Sequence, residues 1–420
     1  MQQIIFEKPY EFIPPIRSDW IPDLIQWFNL YGIYLKKKEG VVTHELRHPE
    51  RLKASLDEGC GILLAPNHCR TSDPLVIGFL ARQVQCHVYT MASWHLFNQS
   101  RFNTWAIRAM GGFSIFREGM DRKAINTAIE AMVEAKRPLI IYPEGATSRT
   151  NDRLRPLLDG VALVARGAAR RREKQQLGRT VIHPIALKYR FQGDLEAAIA
   201  PVLTQIEQRF SWPPQTGRDL IERIHRVGNA MLTLKELQYF GKTLGSCDLA
   251  ERTEALVQQI LGPLEEEYLP GKGNGDNHVV ARVKNLRTKM IPEMISGTLP
   301  AEERARRWVQ LEDIYTAQQI SCHLPDYLES FPSVDRLLET VERYEEDLTD
   351  KTQVHGHQHV IIEVGEAIEV SSARSKSDGE DPLMRKLTDQ LSGMLEQLAR
   401  ESPLYHPGPN KTFESPLAAG

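Results

Sequence analysis

From Leu46 to Tyr189 short apolar runs alternate with helical patterns, and this alternation leaves the stretch few choices of fold. A run too short for a helix and bounded by turn residues is a buried strand. With a helical pattern between each pair of runs the chain must cross over, which makes neighbouring strands parallel. The expected strands are Ile62 to Ala65, His87 to Met91, Phe113 to Phe116, Leu139 to Tyr142 and Val181 to Leu187. Asp121 reads as the N-cap of a helix with Ile125, Ala128, Ile129, Met132 and Val133 on one side, stopped before Pro138. A second helix starts near Asp159 and runs into Arg170, Arg171 and Arg172. The fold class is therefore α/β, a mainly parallel central sheet flanked by helices.

After Gln192 the pattern changes. Leu220 to Arg226, Ser246 to Leu261, Ala301 to Thr316 and Val334 to Leu348 are amphipathic and Glu-rich, which predicts an α-helical insertion with hardly any strand. Gly271 to Asp276 reads as an interior loop, because clustered Gly, Asn and Asp resist both periodic structures. The strand pattern returns at His359 to Ile368, followed by a helix from about Pro382 to Leu398. The expected division is an N-terminal segment with a membrane-interface helix (1–45), the α/β domain (46–190), a helical insertion (191–353), a returning strand and closing helix (354–402) and a loose tail (403–420).

Composition excludes several classes. Lys plus Arg at 52 against Asp plus Glu at 55 gives a net charge of −3, so no whole-chain basic field argues for nucleic acid. Five scattered cysteines, with no C-x-x-C pair, argue against a metal ribbon or redox pair and for a reducing compartment. The first residues lack the order of a signal peptide, and no apolar run reaches the ~20 residues of a membrane-spanning helix. Membrane contact would have to come from the surface. Between Ser18 and Lys38, Trp20, Ile21, Leu24, Ile25, Phe28, Leu30, Tyr31, Ile33 and Tyr34 form a broad apolar face followed by Lys36, Lys37 and Lys38. Interfacial helices have this pattern, and so do helices packed on a protein's own core. Arg166 to Lys174 is a second candidate for anionic lipid, explained as well by the helix macrodipole. His355, His357 and His359 could face one side of a strand, but with no nearby Cys or carboxylate pair they read as a solvated loop, and no metal is expected. Glu265 to Glu267 and Glu345 to Asp347 read as exposed helix faces.

The residues that carry chemistry begin with Asn67-His68-Cys69-Arg70-Thr71-Ser72-Asp73-Pro74, where a buried strand ends and a helix starts. Open α/β sheets place their sites there. A neutral His68 is a competent general base near pH 7, and Asp73 can turn back across the helix start to orient it. The alternative is that Asp73 is only an N-cap before Pro74. Three further segments follow: Gly111 to Arg117, Ile141-Tyr142-Pro143-Glu144-Gly145-Ala146-Thr147-Ser148-Arg149, and Ile182-His183-Pro184-Ile185-Ala186-Leu187.

Read together and in this order, these segments resemble the four blocks of the glycerolipid acyltransferase family, which includes the bacterial 1-acylglycerol-3-phosphate acyltransferases. The blocks are N-H-x-x-x-x-D, G-x-x-x-x-x-R, F-P-E-G and apolar-x-P-apolar-x-apolar, and the likeness covers roughly Arg47 to Tyr189. Gly365 to Ile368 also resembles the G-E-P-I strand that follows block four. The resemblance implies that His68 is the catalytic base and Asp73 its orienting partner, and that Arg117 grips the acceptor's phosphate. It also implies that Asn67, Glu144 and Gly145 belong to the acceptor site. Block three departs from the common form: Tyr142 replaces Phe, and the arginine comes two places late, so Thr147, Ser148 and Arg149 all remain open as the completing phosphate ligand.

The implied reaction moves a fatty acyl group from a thioester of coenzyme A or acyl carrier protein to a lysophospholipid hydroxyl, most closely 1-acyl-glycerol-3-phosphate. It needs no cofactor. The resemblance places it in phospholipid biosynthesis, at the cytoplasmic face of a membrane, on a peripheral protein. Alternatives are another lyso-lipid or amino-acid lipid acceptor, or a catalytically idle membrane-surface scaffold. An idle copy would have no chemical need of His68, Asp73, Arg117 and Glu144 together.

Overall fold

Eight strands form one mixed, mostly parallel sheet: β1 (Val41–Arg47), β2 (Gly61–Pro66), β3 (Tyr89–Ser93), β4 (Gly112–Ile115), β5 (Leu139–Ile140), β6 (Thr180–Gln192), β7 (His357–Val364) and β8 (Ile368–Glu369). The computed structural model describes residues 7–215, 217–245, 248–271, 278–373 and 381–406; Cys247, most of the Gly271 to Asp276 loop and residues 407–420 of the tail lie outside them. The strand order is β1-β7-β6-β2-β5-β3-β4, with β8 pairing β6. From β6 to β4 every pairing is parallel, whereas β7 and β8 run antiparallel to β6. The α/β expectation holds. β2 is buried along its whole length, as a central strand covered on both faces must be, and this is why it reads as a continuous apolar run.

One face of the sheet is covered by α2 and its neighbours: α1 (Trp20–Trp27), α2 (Leu30–Lys38), α3 (Pro49–Asp57), α4 (Asp73–Gln83) and, beside β3 and β4, α5 (Arg101–Ala109). The other is covered by α6 (Arg122–Glu134) and α7 (Gly160–Lys174). Asp121 caps α6 as expected, its carboxylate accepting from the Ala124 N–H. Between β6 and β7 come α8 (Leu195–Arg209), α9 (Leu220–Phe240), α10 (Leu249–Tyr268), α11 (Val279–Ile295), α12 (Ala301–Ile320), α13 (Tyr327–Ser330) and α14 (Val334–Thr349). They close two further cores: α8, α9 and α14 around Ile199, Leu203, Ile224 and Leu337, and α10 to α12 around Leu256, Leu286, Met290 and Ile314. The last helix, α15 (Pro382–Ala399), returns to the sheet and packs Leu387 and Leu391 against it.

Pro184 sits inside a central strand, a position normally closed to proline because its ring nitrogen carries no hydrogen. Here the antiparallel ladder is broken at that point: β7 ends opposite Ile185 and β8 begins opposite Ile182. The Pro184 carbonyl faces the gap and accepts from the Gly365 N–H at 2.8 Å, so the missing donor faces a place where no ladder partner is required. His183 closes the same gap, hydrogen-bonding the Gly365 carbonyl at 3.0 Å and Ser55 Oγ at 2.9 Å.

Several sequence expectations change. The Trp20 to Lys38 helix is two helices, because Asn29 adopts a left-handed conformation (φ 50°) between them. β1 begins within the expected N-terminal segment and is the edge strand beside β7. β3 starts two residues later than expected, and β6 continues past Leu187 to Gln192. The extension was hidden by its charges. Lys188 is fully buried in β6, paired with Asp152 and, at 3.2 Å, with Asp335. Glu345 and Glu346 are buried rather than exposed, facing His355 and Arg149. The basic end of α7 is divided: Arg170, Arg171 and Lys174 are exposed, and the other two arginines are occupied inside the protein. Arg172 is buried and donates to the Val133 and Gly59 carbonyls, and Arg166 pairs with Asp381.

Candidate active site

β2 ends at Pro66, and Asn67 then holds the turn to the sheet edge. Its amide donates to the Leu187 carbonyl at 3.0 Å and accepts from the Leu187 N–H at 2.7 Å, which replaces a ladder pair with β6 just where β2 stops. The next residue, His68, is therefore presented at the carboxyl end of the strand, next to the start of α4.

His68 Nδ1 donates to Asp73 Oδ2 at 2.8 Å. Because a carboxylate only accepts, this bond places a ring hydrogen on Nδ1, so that in the neutral imidazole the lone pair that can accept a proton is on Nε2. Asp73 is fully buried and accepts from three further donors, the Tyr189 hydroxyl at 2.7 Å, the Arg70 N–H at 2.9 Å and the Cys69 thiol at 3.9 Å. These donors stabilise the charge and fix its direction. Thr147 Oγ1 stands 3.4 Å from Nε2, and the Tyr142 ring stacks on the imidazole at 4.0 Å between centroids. The tyrosine that replaces the usual phenylalanine thus supplies the floor under the imidazole, and burial raises its hydroxyl well above the usual range.

The loop after β5 grips the His68 backbone from both sides. Glu144 Oε1 accepts from the His68 N–H at 2.7 Å, while the Ser148 N–H and Oγ both donate to the His68 carbonyl, at 2.6 and 3.1 Å. Glu144 is almost fully buried, and its other oxygen accepts from the Arg155 N–H at 3.2 Å. Burial outweighs these bonds and pushes its carboxyl up to about 8. Gly145 is in the left-handed region (φ 72°), and a Cβ there would meet Leu158 Cδ1 at 2.3 Å, so only glycine fits the turn.

Of the three residues left open after Gly145, Arg149 is paired with Glu346 of α14, Ser148 is buried against the His68 and Thr150 carbonyls, and Thr147 stands beside His68 Nε2. Arg117 follows β4 and is exposed. Among the described residues no three His, Cys, Asp or Glu side chains gather as a metal ion would require. A depression of about 390 Å³, lined by Phe191 and the 355–357 turn, holds none of the site residues.

Sequence reasoning missed Tyr189. The signal was available: residues 185, 187 and 189 share one face of β6 by the two-residue period of a strand, so a tyrosine two places past block four points into the same core as Ile185 and Leu187. It also missed α14. That helix sets Glu342 against Arg70 at 3.0 Å, Glu346 against Arg149, and Arg343 against the Arg149 carbonyl. No spacing rule links residues so far apart in the chain.

Residues 45–188, about a third of the chain, match the family model described as Acyltransferase. This segment is an acyltransferase domain of the glycerolipid acyltransferase family. No curated protein matches the chain. The acyltransferase domain contains His68, Asp73 and the whole loop that clamps them. The match ends at Lys188, one residue before the tyrosine that supports Asp73.

Proposed function

We propose that the chain transfers a fatty acyl group from a thioester of coenzyme A or acyl carrier protein to the free hydroxyl of a lysophospholipid, most closely 1-acyl-glycerol-3-phosphate. The observation that carries the reading is the His68–Asp73 pair, with Nε2 facing Thr147 at the end of β2. In the proposed step Nε2 takes the acceptor's hydroxyl proton as the oxygen attacks the thioester carbonyl. The C–S bond breaks, and the imidazolium, held by Asp73, returns its proton to the leaving thiolate. Ester and thiol are the products, and no redox partner is needed.

Arg117 is assigned the acceptor's phosphate. It makes no hydrogen bond or ion pair among the described residues, so its guanidinium is available. Arg117→Lys should raise the acceptor KM about tenfold while leaving the donor KM near wild type, because an ammonium cannot reproduce a bidentate grip. Steady-state kinetics with each substrate varied in turn checks this, and an unchanged acceptor KM would move the phosphate elsewhere.

The protein is proposed to act as a peripheral membrane protein at the cytoplasmic face. Among the described residues no helix is long and apolar enough to cross a membrane. The α1–α2 pair buries Ile21, Tyr31 and Leu35 on the protein while Trp20 (64%), Trp27 (77%), Phe28, Ile33 and Tyr34 stay exposed, with Lys36 to Lys38 at the end. The same layer of the fold exposes Phe102 and Trp105 on α5. An aromatic face with a lysine cluster suits an anionic bilayer, each lysine adding on the order of 1 kcal/mol that salt weakens. Wild type should float with anionic liposomes at low salt and partly at high salt, and a Trp20→Ser, Trp27→Ser, Phe28→Ser variant should not. Equal flotation of the two folded proteins would assign docking to another surface.

A further inference from the structure

α11 overhangs the catalytic loop. A Cβ built on Gly145 would come 3.8 Å from Cγ1 of Val280, in the first turn of α11. Seven residues on, two helical turns along the same face, stands Arg287. From the other side, Phe116 packs on the core that Leu286 and Met290 of α11 help to build, and Arg117 is the next residue after it. The two arginines thus approach one another across the join between the acyltransferase domain and the helical segment.

Their environment is unusual for arginine. Among the described residues, neither guanidinium makes a hydrogen bond or ion pair, and Nε of Arg287 is buried with no partner. Nearby arginines differ: Arg70, Arg149 and Arg343 are all taken up by carboxylates or carbonyls of the protein. Arg117 and Arg287 stand in each other's field, with Glu118 as the carboxylate in range of both and ion-paired to neither. His95, whose Nδ1 bonds Ser93 Oγ at 2.9 Å, lies in the field of both. Burial and the two positive charges hold its pKa down at about 4, so at neutral pH it is an uncharged donor. Two like charges left unpaired, with Nε of Arg287 dehydrated, are unfavourable unless an anion completes them.

We propose that Arg287, contributed by the helical segment, joins Arg117 in a two-arginine site for a phosphate monoester, the phosphate of the acyl acceptor. A monoester near pH 7 carries −1.5 to −2 charge, whereas a phosphodiester headgroup carries about −1, so two guanidiniums favour the monoester. The assignment of the monoester to the acceptor rests on the acyl-transfer reading. The 3′-phosphate of coenzyme A has the same chemistry, and the experiment separates the two.

Calorimetric titration with sn-glycerol 3-phosphate, with glycerophosphocholine and with adenosine 3′,5′-bisphosphate reads the site without acyl transfer. Arg287→Gln should weaken glycerol 3-phosphate binding about tenfold or more, as loss of a charged hydrogen-bonding partner does, with Arg287→Lys in between. Glycerophosphocholine binding should be weaker in wild type and nearly unchanged by Arg287→Gln. Melting curves confirm that the variants are folded. Equal glycerol 3-phosphate affinity in wild type and folded Arg287→Gln, or no binding by wild type, overturns the proposal. Loss confined to adenosine 3′,5′-bisphosphate also overturns it, by giving the site to the donor. A wild type that binds glycerol 3-phosphate through Arg287 but transfers no acyl group supports the anion site and overturns only the reaction.

Discussion

His68→Ala is expected to lower turnover at least ~10²–10⁴-fold while the protein stays folded, the usual cost of removing a general base. The side chain is only 13% exposed, yet its backbone, held by Glu144 and Ser148, does the structural work in this loop, and alanine keeps that backbone. Asp73→Asn should also reduce turnover strongly. An asparagine amide can present its NH₂ to Nδ1 and move the ring hydrogen to Nε2, which removes the lone pair that accepts the proton. The Tyr189 hydroxyl retains an oxygen to donate to, but the Arg70 N–H, which donates to the same Oδ2 as His68, then faces the NH₂, so some stability is lost along with the chemistry. Single-turnover rates on the purified variants, paired with melting temperatures, measure both. Activity within a few-fold of wild type in a folded His68→Ala protein would remove His68 from the base role.

Lys188→Met is expected to destabilise the protein by about 3–5 kcal/mol, the cost of removing one partner from a buried ion pair. Lys188 is completely enclosed between Asp152 and Asp335. Asp152 also accepts from Arg336 Nε at 2.8 Å, and Asp335 from the Phe191 N–H and the Ser402 hydroxyl. Methionine fills the volume of the side chain but leaves these two carboxylates with less than their charge. Against a whole-domain stability of roughly 5–15 kcal/mol this is a large fraction. A urea midpoint that drops without a change in slope would register it. A shift worth under about 1 kcal/mol would mean that water or neighbouring arginines already compensate the acids. The network spans β6, the 149–153 loop and α14, so its loss should also loosen the loop that presents Thr147 to His68.

The parts of the protein legible in the sequence are those governed by short-range rules. β2 reads as a strand because a central parallel strand is apolar on both faces, and α6 as a helix because Asp121 caps it and its apolar residues recur every three to four places. His68 and Asp73 were legible as a pair because five residues across a strand-to-helix turn bring them together whatever the rest of the chain does. Tertiary structure alone decided the remainder. Lys188 looked like the end of a strand until Asp152 and Asp335, from two other segments, made its burial tolerable. Glu345 and Glu346 looked solvated until β7 folded back beside β6 and set α14 against the loop that carries Arg149. Whether Arg149 or Arg117 is free for a ligand depends on a glutamate nearly two hundred residues away. A charged side chain states what it can bind, but its actual partner is fixed only when distant segments meet, because Coulomb attraction and the cost of dehydration both depend on final distances and burial.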